Sequence, residues 1–193
     1  MVPRDMDAAN QDADLLAQFA QGDRLAAQTL TDRLAPRILR FAARMLGDRT
    51  EAEDVTQDTM LRLWRIAPEW QDTGIPPAAW LFRIAANLCT DRLRRRRSGP
   101  AEMPDLPNDT PGVDAQMMQS KRAAALQSAL AALPERQRQA VILRHLEGLS
   151  NPDIGAIMMI GVEAVESLTA RGKRNLTALL SGQKEILGYE DDH

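Results

Sequence analysis

The sequence predicts an all-α protein made of two helical domains, and three observations carry that expectation. Aromatic residues are only 4% of the chain and Val and Thr are sparse beside Ala, Leu, Arg and Gln, a mixture that favours helix over strand. Apolar residues recur three or four positions apart through most of the sequence, the period of a helix with one buried face. One stretch breaks this pattern. Residues 99–113 (GPAEMPDLPNDTPGV) hold four prolines, two glycines and three acids with no base, the composition of a flexible Pro-rich acidic linker that cannot pack a core. The expected organisation is a first domain over 1–98, the linker over 99–113, and a second domain over 114–193.

Each element follows from local signals. A helix is expected from near Asp12 or Asp14, with Leu15, Leu16 and Phe19 on one face, until Gly22-Asp23 interrupts it. Leu25, Leu30 and Leu34 suggest a second helix ending at Pro36, and Ile38, Leu39, Phe41, Ala42, Met45 and Leu46 a third before Gly47-Asp48. Thr50 and Glu53 fit a capping box opening a helix in which Ala52, Val55, Thr59, Leu63 and Ile66 recur at helical spacing. Residues 68–77 (PEWQDTGIPP), with three prolines and a glycine, read as a loop. Helix resumes at Pro77 or Ala78 with Trp80, Leu81, Ile84, Leu88 and Leu93, and runs into an arginine cluster stopped by Ser98-Gly99-Pro100.

The second domain opens near Asp114 with a helix ending at Pro134, then another over Glu135 to Leu146 broken by Gly148. SNPDIGAIMM forms a short helix whose cap is Ser150, with Asp153 three residues on. Met159-Ile160-Gly161 is a turn, and a longer helix runs from about Glu163 to Leu180. This is the offset of a helix-turn-helix, which projects its second helix toward a major groove; a plain helical hairpin inside a bundle fits the same spacing. The polar, acidic tail SGQKEILGYEDDH is expected to fray.

Composition removes several function classes. Cys89 is the only cysteine and the two histidines, His145 and His193, are far apart, so no internal disulfide is possible and no zinc site is expected. No Ser/His/Asp set, Gly-rich phosphate loop or metal-ligand spacing is present, so the chain is expected to be no enzyme, with no cofactor, no metal and no small-molecule substrate. Cys89, between Leu88 and Thr90, is most simply a packing residue. No apolar run is long enough to cross a bilayer, and the acidic N-terminus MVPRDMDAANQDAD is the reverse of a signal peptide. A cytoplasmic protein without membrane insertion is the expectation.

The net charge of −3 conceals its distribution. Up to Ser98 there are 15 Lys and Arg against 14 Asp and Glu, and from Lys121 onward nine of each. Arg92, Arg94, Arg95, Arg96 and Arg97 crowd one helix end. Spread around the helix, they suit phosphate contact more than base reading, although cations at a helix C-terminus also simply complement its dipole. Asn87 and Asp91, one turn apart, add polar groups. On the 51–66 helix, Glu51, Asp54, Asp58, Arg62 and Arg65 make a polar face, with Gln57 beside it, open to a partner protein or to solvent. Trp64 and Trp80 are core candidates, and Trp70 is the tryptophan placed for exposure. On the last helix, Glu163, Ala164, Glu166, Ser167, Ala170, Arg171, Lys173 and Arg174 are expected outside. Glutamates there are awkward beside phosphate, though they can accept from cytosine amino groups.

The order of these signals is more specific than any one of them. AEDVTQDTMLRLWR (52–65), AAWLFRIAANLCTDRLRRRR (78–97) and LPERQRQAVILRHLEGLSNPDIGAIMMIGVEAVESLTARGKRNL (133–176) closely resemble the extracytoplasmic-function group of bacterial sigma factors, across roughly residues 12–180. The resemblance implies that the helix with Asp54, Gln57, Asp58, Leu61 and Trp64 docks on core RNA polymerase. It implies that the loop 68–76, with Trp70, captures a flipped base of the minus-ten element, and that Asn87, Asp91, Arg92 and the following arginines meet that element. It implies that the helix-turn-helix reads the minus-thirty-five element of promoter DNA through Glu163, Ser167, Arg171, Lys173 and Arg174. An anti-sigma factor able to clamp both domains is implied as well. Met159 stands where the family often has glycine, and Glu166 and Leu168 where basic residues are common, which puts individual base contacts in doubt. Two rival readings are a sigma-like protein that titrates an anti-sigma factor, for which the arginine tip is unnecessary, and a simple repressor, which leaves the first hundred residues without a role.

Overall fold

The computed structural model describes residues 4–70, 75–98 and 114–181, with side chains described over 11–70, 75–97 and 121–181. The expected linker and the C-terminal tail lie outside the described residues. No strand occurs among the described residues. The first domain comprises α1 (Arg4–Ala20), α2 (Arg24–Leu46), α3 (Arg49–Ile66), a 3-10 turn (Ala67–Glu69) and α4 (Pro77–Ser98). The second comprises α5 (Asp114–Ala132), α6 (Glu135–Val141), a π-helical turn (Ile142–Leu146), α7 (Asn151–Met158) and α8 (Val162–Ser181).

Three boundaries differ from expectation. The first helix begins at Arg4, not near Asp12. Pro36 does not end a helix but sits exposed within the 23-residue α2. The hydrogen bond it removes lies on the solvent side, while Leu30, Leu34, Ile38, Phe41 and Met45 carry the buried stripe straight past it. The cap of α3 is Asp48 rather than Thr50: its carboxylate accepts from the Glu51 amide at 2.9 Å. Gly47 just before it adopts φ 71°, the left-handed conformation glycine takes without strain, and its amide closes α2 on the Ala43 carbonyl at 2.9 Å.

α2 is the hub, packing on α1, α3, α4 and α5. Phe41 and Phe82 meet edge to face at 5.5 Å in the first domain, and Cys89 is fully buried beside them in the same apolar cluster. In the second domain Leu130, Ile142, Leu143, Ile154 and Val165 form the equivalent centre. The two do not close separately. The apolar cluster runs unbroken from one domain into the other, with α4 against α7 and α2 against α5.

α7 and α8 form the expected helix-turn-helix. Ser150 accepts from the Asp153 amide at 3.3 Å as N-cap. The turn is made by Met159, whose φ of 55° is left-handed. A residue with a Cβ takes that conformation at a cost, and here the Met159 amide bonded to Gly155 and the Ile160 amide bonded to the Gly155 carbonyl at 3.0 Å hold it.

Candidate nucleic-acid interface

Three surfaces emerge from this frame. On α3, Ala52, Val55, Thr59, Met60 and Leu63 are buried, which turns Asp54, Gln57 and Asp58 to solvent. Leu61 joins them, 44% exposed, so an apolar side chain stands on a carboxylate-bearing face. Trp64 is half-buried and meets Phe19 edge to face at 4.9 Å. It anchors the end of that face to α1.

The second surface is the tip of α4, where the arginines divide into two kinds. Arg92 donates to the Glu51 carbonyl at 3.2 Å and lies 3.6 Å from Asp54. Arg96 donates to the Leu46 carbonyl at 2.9 Å and pairs with Glu51 at 3.0 Å and Asp48 at 3.6 Å. Arg97 pairs with Glu135 of the second domain. These three bind the protein to itself. Arg94 pairs with Asp91 at 3.0 Å on the outer face, and Arg95 is exposed with no ion pair among the described residues. Asn87 is exposed one turn back and Asp91 half-buried. Trp70, expected to be exposed, is half-buried instead, because its ring packs edge to face on Trp80 at 5.7 Å. Residues 71–74 of its loop lie outside the described residues.

The third surface is α8. Val165 and Gly172 face inward, leaving Glu163, Ala164, Glu166, Ala170, Arg171, Lys173 and Arg174 exposed and Ser167 half-buried. Glu166 accepts from the Asn151 amide group at 3.3 Å, which ties it to the start of α7. Gly172 is required by the closeness of α6: a Cβ there would stand 2.5 Å from Val141 Cγ2 and 3.1 Å from the Gln137 carbonyl oxygen.

One group of residues escaped the sequence reading. Arg37, Arg40 and Arg44 lie along one face of α2 and converge on Glu147, at 3.9, 3.9 and 3.0 Å. The Glu147 side chain is 1% exposed. The available signal was the spacing of the arginines at three and four positions, the period that puts them on one helix face; nothing in the sequence named their partner. Burial pushes the Glu147 carboxyl above its ordinary range, with Arg40, Arg37 and Arg44 pulling the other way.

No cluster of His, Cys, Asp or Glu suited to a metal occurs among the described residues. No helix among them is long and apolar enough to cross a membrane.

Comparison with known proteins places the chain. Residues 30–99 match the model of Sigma-70 region 2, and residues 123–176 the model of Sigma-70, region 4. The chain is 37% identical over 154 residues to the ECF RNA polymerase sigma factor SigE of Mycolicibacterium smegmatis, an alignment covering 76% of this chain and 58% of that longer protein. It is 35% identical over 170 residues to the ECF RNA polymerase sigma factor SigM of Mycobacterium tuberculosis, covering 88% of this chain and 84% of the relative. Among solved structures, CnrH in complex with the cytosolic domain of CnrY is similar at a TM-score of 0.69 and 31% identity, covering 89% of this chain and 98% of that one. The second and third surfaces thus fall within regions 2 and 4, and the chain belongs to the extracytoplasmic-function group of sigma-70 family RNA polymerase sigma factors.

Proposed function

We propose that this chain works in the cytoplasm as the promoter-recognition subunit of RNA polymerase. It binds the core enzyme, engages a two-part promoter, helps to open it, and performs no catalysis itself. The observation that carries this reading is that three separate surfaces occur in one chain in a fixed order: the carboxylate face of α3, the arginine tip of α4 and the outer face of α8. The domain over 1–98 docks and melts, the segment 99–113 connects, and the domain over 114–193 reads the distal element.

Asp54, Gln57, Asp58 and Leu61 form the polymerase contact, with Trp64 fixing the angle of α3 from behind. Two carboxylates and an amide beside one exposed leucine fit an interface with an apolar centre and a polar rim. Arg94 and Arg95, with Asn87 and Asp91 one turn behind them, meet the minus-ten element. The backbone phosphates supply most of the affinity there and the polar side chains supply discrimination. Arg92, Arg96 and Arg97 act mainly by holding α4 in place. Trp70 positions the loop before α4 through its contact with Trp80. Glu163, Ser167, Arg171, Lys173 and Arg174 face the minus-thirty-five element, where Arg171 and Arg174 are suited to phosphate or guanine contacts.

CnrH forms a complex with the cytosolic domain of CnrY. By analogy, an anti-sigma factor is the proposed negative partner of this chain.

The test is co-elution with core polymerase followed by footprinting of the complex on promoter DNA. Protection of two separated tracts, near minus ten and minus thirty-five, is expected. Protection of a single tract without polymerase would assign the chain to simple repression. No polymerase binding at all would contradict the reading.

A further inference from the structure

The turn of the helix-turn-helix joins two methionines with opposite surroundings. Met158 is 8% exposed and belongs to the apolar cluster, whereas Met159 is 71% exposed. Met45 and Met60 are buried as well, so among the methionines whose side chains are described Met159 alone offers its sulfur to solvent. Its backbone is also exceptional. With φ at 55° it is the one non-glycine residue in the left-handed region among the described residues. Glycine takes that conformation freely, and methionine takes it against a steric penalty. The side chain makes one polar contact: a guanidinium nitrogen of Arg83 on α4 donates to the Met159 sulfur at 3.2 Å. A thioether is a weak acceptor, so this bond by itself is a poor return for a strained turn. Strain kept at a defined position points to a use for the side chain that imposes it.

We infer that Met159 is a site of reversible oxidation by a peroxide, and that Arg83 senses the product. The sulfur has two lone pairs, and Arg83 engages one of them. In a side chain this exposed, the other attacks the outer oxygen of hydrogen peroxide. A sulfur–oxygen bond forms, the oxygen–oxygen bond breaks, and the departing hydroxide takes up the remaining proton as water. The sulfur loses the two electrons that the peroxide gains, and methionine sulfoxide results. Its oxygen carries partial negative charge and accepts from a guanidinium far better than sulfur does. The product therefore strengthens a contact that is already in place and disturbs no packing, because the Met159 side chain fills no core. Met158, one residue earlier, would have to leave the core to react. The consequence for promoter DNA rests on the proposed function; the modification and its sensing by Arg83 do not. α4 packs on α7, and α8 begins at Val162, directly after the turn. A stronger Arg83 bond ties the turn to α4, and with it the face of α8 proposed for the minus-thirty-five element. The oxidised chain should hold promoter DNA less well.

Mass spectrometry, melting and promoter binding on the full chain test the proposal together. The native chain is treated with hydrogen peroxide, freed of it, and sequenced by tandem mass spectrometry. Sulfoxide should appear at Met159 on the order of tenfold faster than at Met158, Met45 or Met60. The treated chain should melt about 1–4 °C above the untreated one, and methionine sulfoxide reductase should reverse the shift. Met159→Leu, which lacks the sulfur, and Arg83→Gln, which lacks the guanidinium, should show no rise on treatment. Met159→Gln sets an amide oxygen near the place of the sulfoxide oxygen and should show the rise without oxidant. Holoenzyme assembled with the oxidised native chain should bind promoter DNA about twofold to fivefold more weakly, and treated Met159→Leu should lose nothing. Circular dichroism confirms that each form is folded. Equal oxidation of Met158 and Met159 would overturn the site. Selective oxidation without a rise in melting, or with the same rise in Arg83→Gln, would overturn the sensing by Arg83. Unchanged promoter affinity would overturn the consequence for DNA alone. Failure of the untreated chain to bind promoter with polymerase would instead remove the functional reading, while mass and melting still decide the modification.

Discussion

Arg138 of α6 donates one guanidinium nitrogen to the Met45 carbonyl of α2 at 2.7 Å and the other to the Ala131 carbonyl of α5 at 2.6 Å. One side chain thereby caps the ends of two helices belonging to different domains. A cation at two carbonyl termini is favoured by both helix dipoles, and each bond to a charged group contributes more than a neutral one. Arg138→Ala leaves these carbonyls short of partners. The expected loss is about 1.5–3 kcal/mol, a fall in melting temperature of about 3–12 °C for a chain of this size. Thermal unfolding followed by circular dichroism measures it, and an unchanged melting temperature would show that water replaces the guanidinium.

The arginines of α4 should separate by assay. Arg95 is exposed and has no ion pair among the described residues, so Arg95→Gln should leave stability unchanged. It should lower the slope of log affinity against log salt for promoter binding by the holoenzyme by about one. Arg96→Gln loses the bond to the Leu46 carbonyl and the pairs with Asp48 and Glu51, and should lower the melting temperature with a smaller effect on the salt slope. Equal salt slopes for the native chain and Arg95→Gln would assign Arg95 to solvent.

Gly172 marks the closest approach of α8 to α6. A methyl group there would meet Val141 Cγ2 at 2.5 Å and backbone oxygen at 3.1 Å, and backbone cannot yield as a side-chain tip can. Gly172→Ala should cost about 1–3 kcal/mol through overpacking and weaken binding to minus-thirty-five DNA by tilting the recognition helix. Chemical denaturation gives the first quantity. A stability equal to native would mean that α8 shifts freely.

Cys89 should be silent. Burial pushes its thiol up to about 12, with Arg92 pulling down against it and Glu51 and Glu135 adding to the rise. At pH 8 the thiolate fraction is then about one in ten thousand. A disulfide reagent should leave the folded chain untouched and label one equivalent in denaturant. Rapid labelling of the native protein would contradict the packing of α4.

How far the sequence disclosed this protein depends on the range of the interaction. The helix-turn-helix was legible because its signals are local: Ser150 as cap, Gly161 closing the turn, and Ile154, Ile157 and Val165 at helical spacing. The exposed face of α3 was legible for the same reason. Pro36 misled because a proline's effect depends on which side of the helix its missing bond faces, and that side is settled by packing. The arginine cluster was read as a single feature, yet Arg92 and Arg96 reach back 41 and 45 positions to Glu51. Glu147 lies 103 positions from Arg44, and no spacing rule connects residues that far apart. Trp70 was placed outside because it lies within the proline-rich loop, but loop aromatics also fold back, and Trp80 offered it an edge-to-face partner.

The central claim is that this chain directs initiation, and run-off transcription tests it most directly. Purified core RNA polymerase, the full chain and a pool of genomic promoter fragments from the source organism are combined, and the transcript ends are mapped. The account predicts discrete starts that appear only when the chain is added, each preceded by shared sequence near minus ten and minus thirty-five. Transcription indistinguishable from core enzyme alone, over the whole pool, would contradict it.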